Sequence, residues 1–160
     1  MAVDMFLKIK GVDGESSDAK HKKEIDVLAW SWGLSQSGSA HFGGGAGSGK
    51  VNVQDLSFTK YIDSASHALM LACCTGEHIG EATLVVRKAG KEPLEYVKIT
   101  FNDLIISSVS TGGSGGEDRL TENVSMNFAK FKYEYTPQKA DGTGEAPKTA
   151  GWNIPENVKV

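Results

Sequence analysis

The glycine-rich stretch 44–51, GGAGSGKV, comes nearest to a catalytic motif. A phosphate-binding P-loop has a glycine, four residues, and then glycine and lysine; Gly44, Gly49 and Lys50 satisfy that spacing. The motif also needs serine or threonine after the lysine to hold magnesium, and this chain has Val51. It needs a helix there as well, whose N-terminal amides face the phosphates, whereas VNVQDLSF has the pattern of a strand. We therefore expect a flexible surface loop rather than a nucleotide site.

The histidines and cysteines form no recognisable metal-binding pattern. Cys73 and Cys74 are adjacent, and the histidines lie in separate segments without ligand-like spacing. We therefore expect no metal site. A free cysteine behaves by default as a small buried hydrophobe, and a redox role for the adjacent pair is the less favoured alternative. The histidines are His21, His41, His67 and His78.

A short run of charged residues has two interpretations. Glu117, Asp118 and Glu122 lie close to Arg119 in the sequence and have the residue types of a carboxylate cluster. The favoured interpretation is a solvated or interfacial charge network at the start of a strand. No serine or cysteine lies in a recognisable nucleophile turn either, so the residues predict neither an enzyme nor a bound cofactor.

Two tryptophans lie two residues apart, on one face of a predicted strand. Trp30 and Trp32 have the spacing to stack on sugars, but packing in the core or at a subunit contact is the favoured interpretation. Ser31 lies between them and is expected to point the opposite way.

The element that positions most of these residues is a long predicted strand, Leu120–Tyr135. Apolar and polar residues alternate up to Phe128, and the alternation then shifts by one residue so that Phe131 shares the apolar face. A shift inside a continuous strand suggests a bulge that turns the strand from one sheet into another. The Gly/Ser stretch 110–116 before it is a predicted loop.

The rest of the chain predicts about seven strands and one helix. The helix covers about Ser64–Thr75, with Asp63 as N-cap and Gly76 ending it. Loops are expected at 11–23 and 37–50, and the apolar end of the chain is expected to dock on something. The other predicted strands are Val3–Ile9, Ile25–Ser35, Val51–Thr59, Glu81–Arg87, Leu94–Phe101 and Leu104–Ser110.

Length and composition indicate one soluble domain, 1–160, with 137–160 as an extended C-terminal tail. Hydrophobic residues make up 39% and charged residues 23%, and the net charge of −3 argues against nucleic acid as a partner. The N-terminus has no apolar run typical of a signal peptide, and no segment has the length of a membrane span. We therefore expect synthesis in the cytoplasm, and any export by a route without a cleaved signal.

Segments spread over nearly the whole chain form a recognisable pattern: AVDMFLKIKGVDGES, EIDVLAWSWGLSQSGS, GKVNVQDLSFTKYID, VVRKAG, SSVSTGGSGGEDRLTENVSMNFAK, YTPQKADG and GWNIPEN. Together they resemble the Hcp (haemolysin-coregulated protein) family of the bacterial type VI secretion system. Long runs such as STGGSGGEDRLTENV are highly specific. The match is weakest at 65–80, 91–98 and 141–150, where we expect lineage-specific contacts.

The resemblance implies a mainly β fold, a tight β-barrel of two sheets with one α-helix packed on the side, like a phage tail tube. It implies a homohexameric ring with a wide channel, and rings that stack into the inner tube of a contractile apparatus. Contractile sheath proteins drive that tube, with its VgrG spike, into a neighbouring cell. Hcp is itself released and carries small effector proteins. The resemblance implies no cofactor, no nucleic acid and no membrane anchor.

Two sets of surface residues follow from this architecture. Channel-facing side chains are expected at Ser31, Asn123, Ser125 and Asn127. Ring-stacking contacts are expected in the glycine loop, in the turn after Arg87 and in the tail, at Phe42, Gly45, Gly49, Lys88, Gly90, Lys91 and Glu156.

The alternative function is a free hexameric ring that acts mainly as an effector carrier or chaperone. An enzymatic Hcp would carry a C-terminal toxin extension, which is not expected after GWNIPENVKV.

Overall fold

The fold is mainly β with one helix, as predicted. The computed structural model describes residues 2–37 and 50–160, which form a nine-stranded sheet and a two-stranded sheet, β4–β5, with antiparallel pairing. The elements in the described residues are β1 Val3–Ile9, β2 Ile25–Asp26, β3 Ala29–Ser31, β4 Leu34–Gln36, β5 Val51–Val53, β6 Leu56–Tyr61, α1 Ser66–Thr75, β7 Ile79–Lys88, β8 Leu94–Thr111, β9 Thr121–Tyr135, β10 Lys148–Asn153 and β11 Val158–Lys159.

The segment 25–31 connects β1, near one end of the main sheet, to β6, which branches from β9. Its first part, β2, pairs with β1, and its second part, β3, pairs with β6. Between them, the Val27 amide donates to the Met5 carbonyl at 2.9 Å and the Leu28 amide donates to the Thr59 carbonyl at 2.8 Å. Since β6 pairs with β9, and β9 connects through β8 and β7 to β1, these bonds complete a barrel-like wall.

The long strand β9 serves both halves of this wall. Its first half pairs with β6 and its second half with β10, while β8 runs beside it. The buried residues alternate up to Phe128 and resume at Phe131, so the predicted phase shift is confirmed. The predicted bulge after Phe128 is wrong, because the register shift between β8 and β9 lies elsewhere, between Ile106 and Ser108 and opposite Met126 and Ser125. At the change of phase the pairing stays in register, with Phe128 opposite Leu104 and Lys130 opposite Asn102, and the left-handed Asp103 lies between these two partners on β8.

The predicted strands differ from the observed strands at three places. The predicted strand 25–35 is divided into β2, β3 and β4, and the predicted strand 51–59 is divided into β5 and β6. Conversely, 94–101 and 104–110 belong to one strand, β8, which continues through Asp103 at φ 55°. Aspartate tolerates this left-handed conformation, so β8 continues where the sequence indicated a break.

The helix α1 begins later than predicted. Its N-cap residue is Ala65 rather than Asp63, because the Asp63 carboxylate accepts the Ala65 amide at 2.9 Å and forms a turn before the helix. The C-terminal prediction is confirmed, since Gly76 is left-handed at φ 66°. The helix packs through Leu69 and Ala72 against β8 and the barrel core. No helix of the described residues is long and apolar enough to cross a membrane.

Most buried apolar side chains of the described residues form one cluster, enclosed by the barrel wall and α1. Phe101, Phe128 and Phe131 lie together in it, with the Phe101 and Phe128 ring centroids 4.6 Å apart. The end of the chain packs here too, since Trp152 and Ile154 contact the cluster. The prediction that the apolar tail docks is thereby confirmed, and its docking surface is the chain's own barrel.

A charged cluster lies under the wall where β6, β9 and the start of α1 meet. The Lys60 side chain is fully buried and is paired with Glu122, which is 2% exposed. The Lys60 ammonium also lies 2.8 Å from the Asp63 carboxylate and donates to Ser66 Oγ at 3.1 Å and the Tyr61 carbonyl at 3.0 Å. This ammonium is therefore surrounded by oxygen acceptors, as a buried charge requires.

A second ion pair ties the loop 11–23 to the barrel. The buried Arg87 guanidinium donates to both oxygens of Asp18, at 3.1 and 2.6 Å, and to Asp4 at 3.0 Å. It lies 5.0 Å from the Phe6 ring centroid. The hydrogen bond from Arg87 holds the pKa of the Asp18 carboxyl well below its usual range. The predicted surface loop 11–23 is thus attached to the barrel through Asp18.

Replacing Glu122 is expected to destabilise the fold strongly. In Glu122→Ala the Lys60 ammonium stays buried after losing a carboxylate, which costs about 3 kcal/mol of unfolding free energy. Chemical denaturation at fixed protein concentration measures this loss, with the exposed Glu117→Ala as the control. The double variant Lys60→Met, Glu122→Leu removes both charges and should recover most of the stability. A double variant as unstable as Glu122→Ala would contradict this account.

The Asp18–Arg87 pair predicts a pH-dependent loss of stability. Because the pKa of Asp18 is lower in the folded chain than in the unfolded chain, its contribution is complete above the unfolded value of about 3.9 and is lost as the pH falls below it. The melting temperature of Asp18→Asn should therefore lie below that of the unmodified protein at pH 7, and the gap should narrow on acidification. Asp13→Asn, in the same loop, is the control. A gap independent of pH would refute the assignment.

Candidate assembly surface

Four strands of the wall present a face of small polar side chains to the outside. Pairing places Ser31, Ser57, Ser125 and Ser108 in one row across β3, β6, β9 and β8. Residues paired across antiparallel strands point to the same side, so these hydroxyls share a surface. A second row across the same four strands consists of Ala29, Thr59, Asn123 and Ser110. We call this surface the polar face; its members are Ala29, Ser31, Ser57, Thr59, Ser108, Ser110, Asn123, Ser125 and Asn127, and the exposed Ile105, paired with Asn127, borders it.

Side chains at one edge of the polar face hold one another in place. Ser125 Oγ lies 2.9 Å from Ser107 Oγ and 2.5 Å from Ser108 Oγ. The Asp55 carboxylate accepts the Ser107 hydroxyl at 2.6 Å and the Asn127 amide at 2.9 Å. These bonds fix the orientation of the side chains before any partner arrives, which lowers the entropic cost of contact.

The orientation of Ser31 depends on the tryptophans beside it. Trp30 and Trp32 pack against the core, so the core-packing interpretation is confirmed. The Trp32 ring lies edge-on to Phe131, with centroids 4.8 Å apart, and its Nε1 donates to the Gln54 carbonyl at 2.9 Å. Neighbouring side chains in a strand point to opposite sides. Since the Trp30 side chain points into the core, the Ser31 side chain points to the outer surface.

The structure brings together all four residues that were expected to face the channel. Ser31, Asn123 and Asn127 are exposed and Ser125 is partly exposed, on the same outer surface. The sequence reasoning missed several neighbours, although the alternation in LSFTKY and SSVST signals them. These neighbours are Ser57, Thr59, Ser108 and Ser110.

The residues expected to mediate stacking lie at separate places. Lys88 ends β7 and its Nζ donates to Gln138 Oε1 at 3.3 Å, while Gly90 and Lys91 belong to the turn between β7 and β8. Glu156 belongs to the turn between β10 and β11. The strand register places these two turns at opposite ends of β10. Phe42, Gly45 and Gly49 lie outside the described residues.

The structure describes only some of the residues that were considered for phosphate, metal and redox chemistry. A strand, β5, follows Lys50 as predicted, while Gly44 and Gly49 lie outside the described residues. In the described part of the chain no three histidine, cysteine or acidic side chains are grouped for a metal ion. Cys73 is half-buried and Cys74 exposed, and both are free thiols.

The charged residues of the segment 117–122 lie in two different environments, one exposed and one buried. Glu117, Asp118 and Arg119 are exposed, and the Arg119 guanidinium lies 3.8 Å from the Tyr61 ring centroid. Glu122 is buried against Lys60, so including it in a solvated network was wrong. The alternation in β9 turns Glu122 to the same side as Val124, and a buried lysine on β6 receives it.

Comparison with known proteins assigns a family. The model of the family described as "Type VI secretion system effector, Hcp" matches residues 6–135. The chain is 63% identical to Protein hcp1 of Pseudomonas aeruginosa, over the full length of both proteins.

Solved structures agree with this assignment. The crystal structure of Hcp1 from Salmonella typhimurium is 46% identical, with a TM-score of 0.83 and full coverage of both chains. A structure described as that of a type six secretion system protein is 31% identical, with a TM-score of 0.93, and covers 99% of this chain and all of its own. A type VI secretion system effector from Yersinia pestis is 39% identical, with a TM-score of 0.78, and covers 94% of this chain and all of its own. The barrel wall, the side-packed helix and these matches together show that the chain belongs to the Hcp family of secreted type VI secretion system proteins.

Proposed function

We propose that six copies of this chain form a ring and that the rings stack head to tail into the inner tube of a type VI secretion system. The observation that carries the proposal is the polar face, four strands wide and made of short uncharged side chains. A channel that passes different small proteins needs a wall that is wetted but has no strong field of one sign. Short hydroxyl and amide side chains meet both requirements.

In the proposed ring the polar face lines the channel. Ser31, Asn123, Ser125 and Asn127 then contact the effector cargo, with Ser57 at the centre of the serine row. Because these side chains are individually weak binders, cargo is held loosely enough to be released after delivery.

The two charged turns are proposed to meet between rings. Head-to-tail stacking needs complementary surfaces on opposite faces of one ring. Lys88 and Lys91 supply positive charge at one turn, beside Gly90, and Glu156 supplies negative charge at the other. The loop containing Phe42, Gly45 and Gly49 is assigned to the same stacking contact. Exposed ion pairs are individually weak, which suits a tube that must assemble and later disperse.

The other partners follow from the tube role. The VgrG spike sits at the tip, contractile sheath proteins surround the tube, and small effectors travel inside. The chain is made in the bacterial cytoplasm and leaves through the secretion apparatus without a cleaved signal. Its role is structural rather than enzymatic, and involves neither nucleic acid nor a membrane anchor.

Ring formation and the position of the polar face are tested together. Light scattering should give a mass about six times that of the 17.1 kDa chain. In a Cys73→Ala, Cys74→Ser background, Ser57→Cys labelled with a maleimide gold cluster should place density inside the ring in electron micrographs. Thr149→Cys, an exposed strand position outside the polar face, should place it elsewhere. Gold from Ser57→Cys on the outer rim would exclude the channel assignment.

The stacking contact is tested by exchanging charges. Lys91→Glu alone should shorten or abolish tubes in electron micrographs, because it brings like charges together between rings, while the ring mass stays unchanged. Lys91→Glu combined with Glu156→Lys should restore tube length. If no variant changes tube assembly but all still carry effectors, the free-ring carrier function is favoured instead.

A further inference from the structure

Two adjoining depressions follow the outer face of β1, β7 and β8 beside the loop 10–24. Their volumes are about 420 and 240 Å³, and Lys8, Glu24, Glu81 and Thr83 line both. Lysines from the strands and from the loop surround them. We call this surface the lysine groove; its lysines are Lys8, Lys10, Lys20, Lys22, Lys23 and Lys98.

The lysines of the groove are not held in ion pairs by the residues that the structure describes. None of the six lysines forms an ion pair with any described residue. Two of the carboxylates that line the groove are already engaged by His21, whose Nδ1 lies 3.0 Å from Glu24 and whose Nε2 lies 2.6 Å from Glu95. Asp13 and Glu81 are the other acids lining it.

The lysine groove has a net positive charge, although the chain as a whole has a net negative charge. Its six lysines and four carboxylates give a formal charge of +2, whereas the whole chain has a charge of −3. Such segregation of charge produces a local field that attracts an acidic partner and orients its approach.

The loop side of the groove is held in a fixed shape. The His21 ring is buried and stacks on Phe6, with centroids 4.4 Å apart. The Gly14 amide donates to the Lys23 carbonyl at 2.7 Å, and a Cβ on Gly14 would lie 2.5 Å from the Glu24 carbonyl oxygen. Lys23 adopts φ 62°, a conformation that non-glycine residues take when their surroundings impose it. The lysines are therefore presented from a preorganised backbone.

We propose that the lysine groove binds an acidic, extended segment of another protein. Thr83 and Thr100 are paired across β7 and β8 on its floor, where their hydroxyls can donate to carboxylates. Nucleic acid fits less well, because among the described residues no arginine, phenylalanine, tyrosine or tryptophan lines the groove to bind phosphates in a bidentate way or to stack on bases. The groove belongs to the single chain and does not depend on the channel or on stacking.

Fluorescence anisotropy with a labelled glutamate-rich peptide tests this proposal on the full-length protein. The peptide should bind at low salt and weaken as salt rises. Lys8→Gln combined with Lys98→Gln should weaken binding about fivefold, because it removes two exposed charges from different strands. Lys148→Gln combined with Lys159→Gln removes two exposed charges from β10 and β11 and should leave binding unchanged.

Three outcomes would overturn the proposal. A glutamine-rich peptide of equal length that binds as tightly would show that charge is not recognised. Equal losses in the two double variants would show that the whole surface, rather than the groove, attracts the peptide. Tighter binding of a single-stranded oligonucleotide, lost in Lys8→Gln, Lys98→Gln, would assign the groove to nucleic acid. Circular dichroism and light scattering of both double variants exclude misfolding as the cause of any loss.

Discussion

The buried ammonium of Lys60 constrains the arrangement of β6, β9 and α1 around it. An unpaired charge inside a protein costs several kcal/mol, so the surrounding oxygens must all be in place when the chain folds. They come from Glu122 on the neighbouring strand and from Asp63 and Ser66 before and at the start of the helix. One side chain thereby joins the wall of the barrel to the helix beside it.

The same pair links the interior of the wall to its outer surface. Lys60 and Glu122 lie directly opposite each other in the β6–β9 register. A slip of one residue between these strands would turn the apolar set outward and separate the two charges. Since side chains alternate, the register that pairs Lys60 with Glu122 inside also aligns Thr59 with Asn123 outside, where the Thr59 hydroxyl donates to Asn123 Oδ1 at 2.6 Å. The register that buries the ion pair on the inner side of these strands therefore also aligns the polar face on their outer side.

The barrel presents two outer surfaces of different character. The polar face has short uncharged side chains that bond to each other, and the lysine groove has long cationic side chains that form no ion pair within the described part of the chain. Strand order separates them, because the polar face lies on β3, β6, β9 and the second half of β8, whereas the groove lies on β1, β7 and the first half of β8. The separation allows each surface its own chemistry, since a weakly binding wall and a charge-selective groove make opposite demands on side chains.

The sequence by itself determined the mainly β class, the single helix ended by Gly76, the phase shift after Phe128 and the outward direction of Ser31, because alternation and glycine chemistry are local properties. Only the tertiary structure decided that Ser57 and Ser108 join Ser31 and Ser125 in one row, since strand pairing depends on residues distant in the sequence. It also decided that Glu122 is buried while Glu117 is exposed, and that the bulge lies in β8. A charged residue gives no local sign of burial, because its partner comes from another strand and the free energy of the pair exists only once both strands are in register.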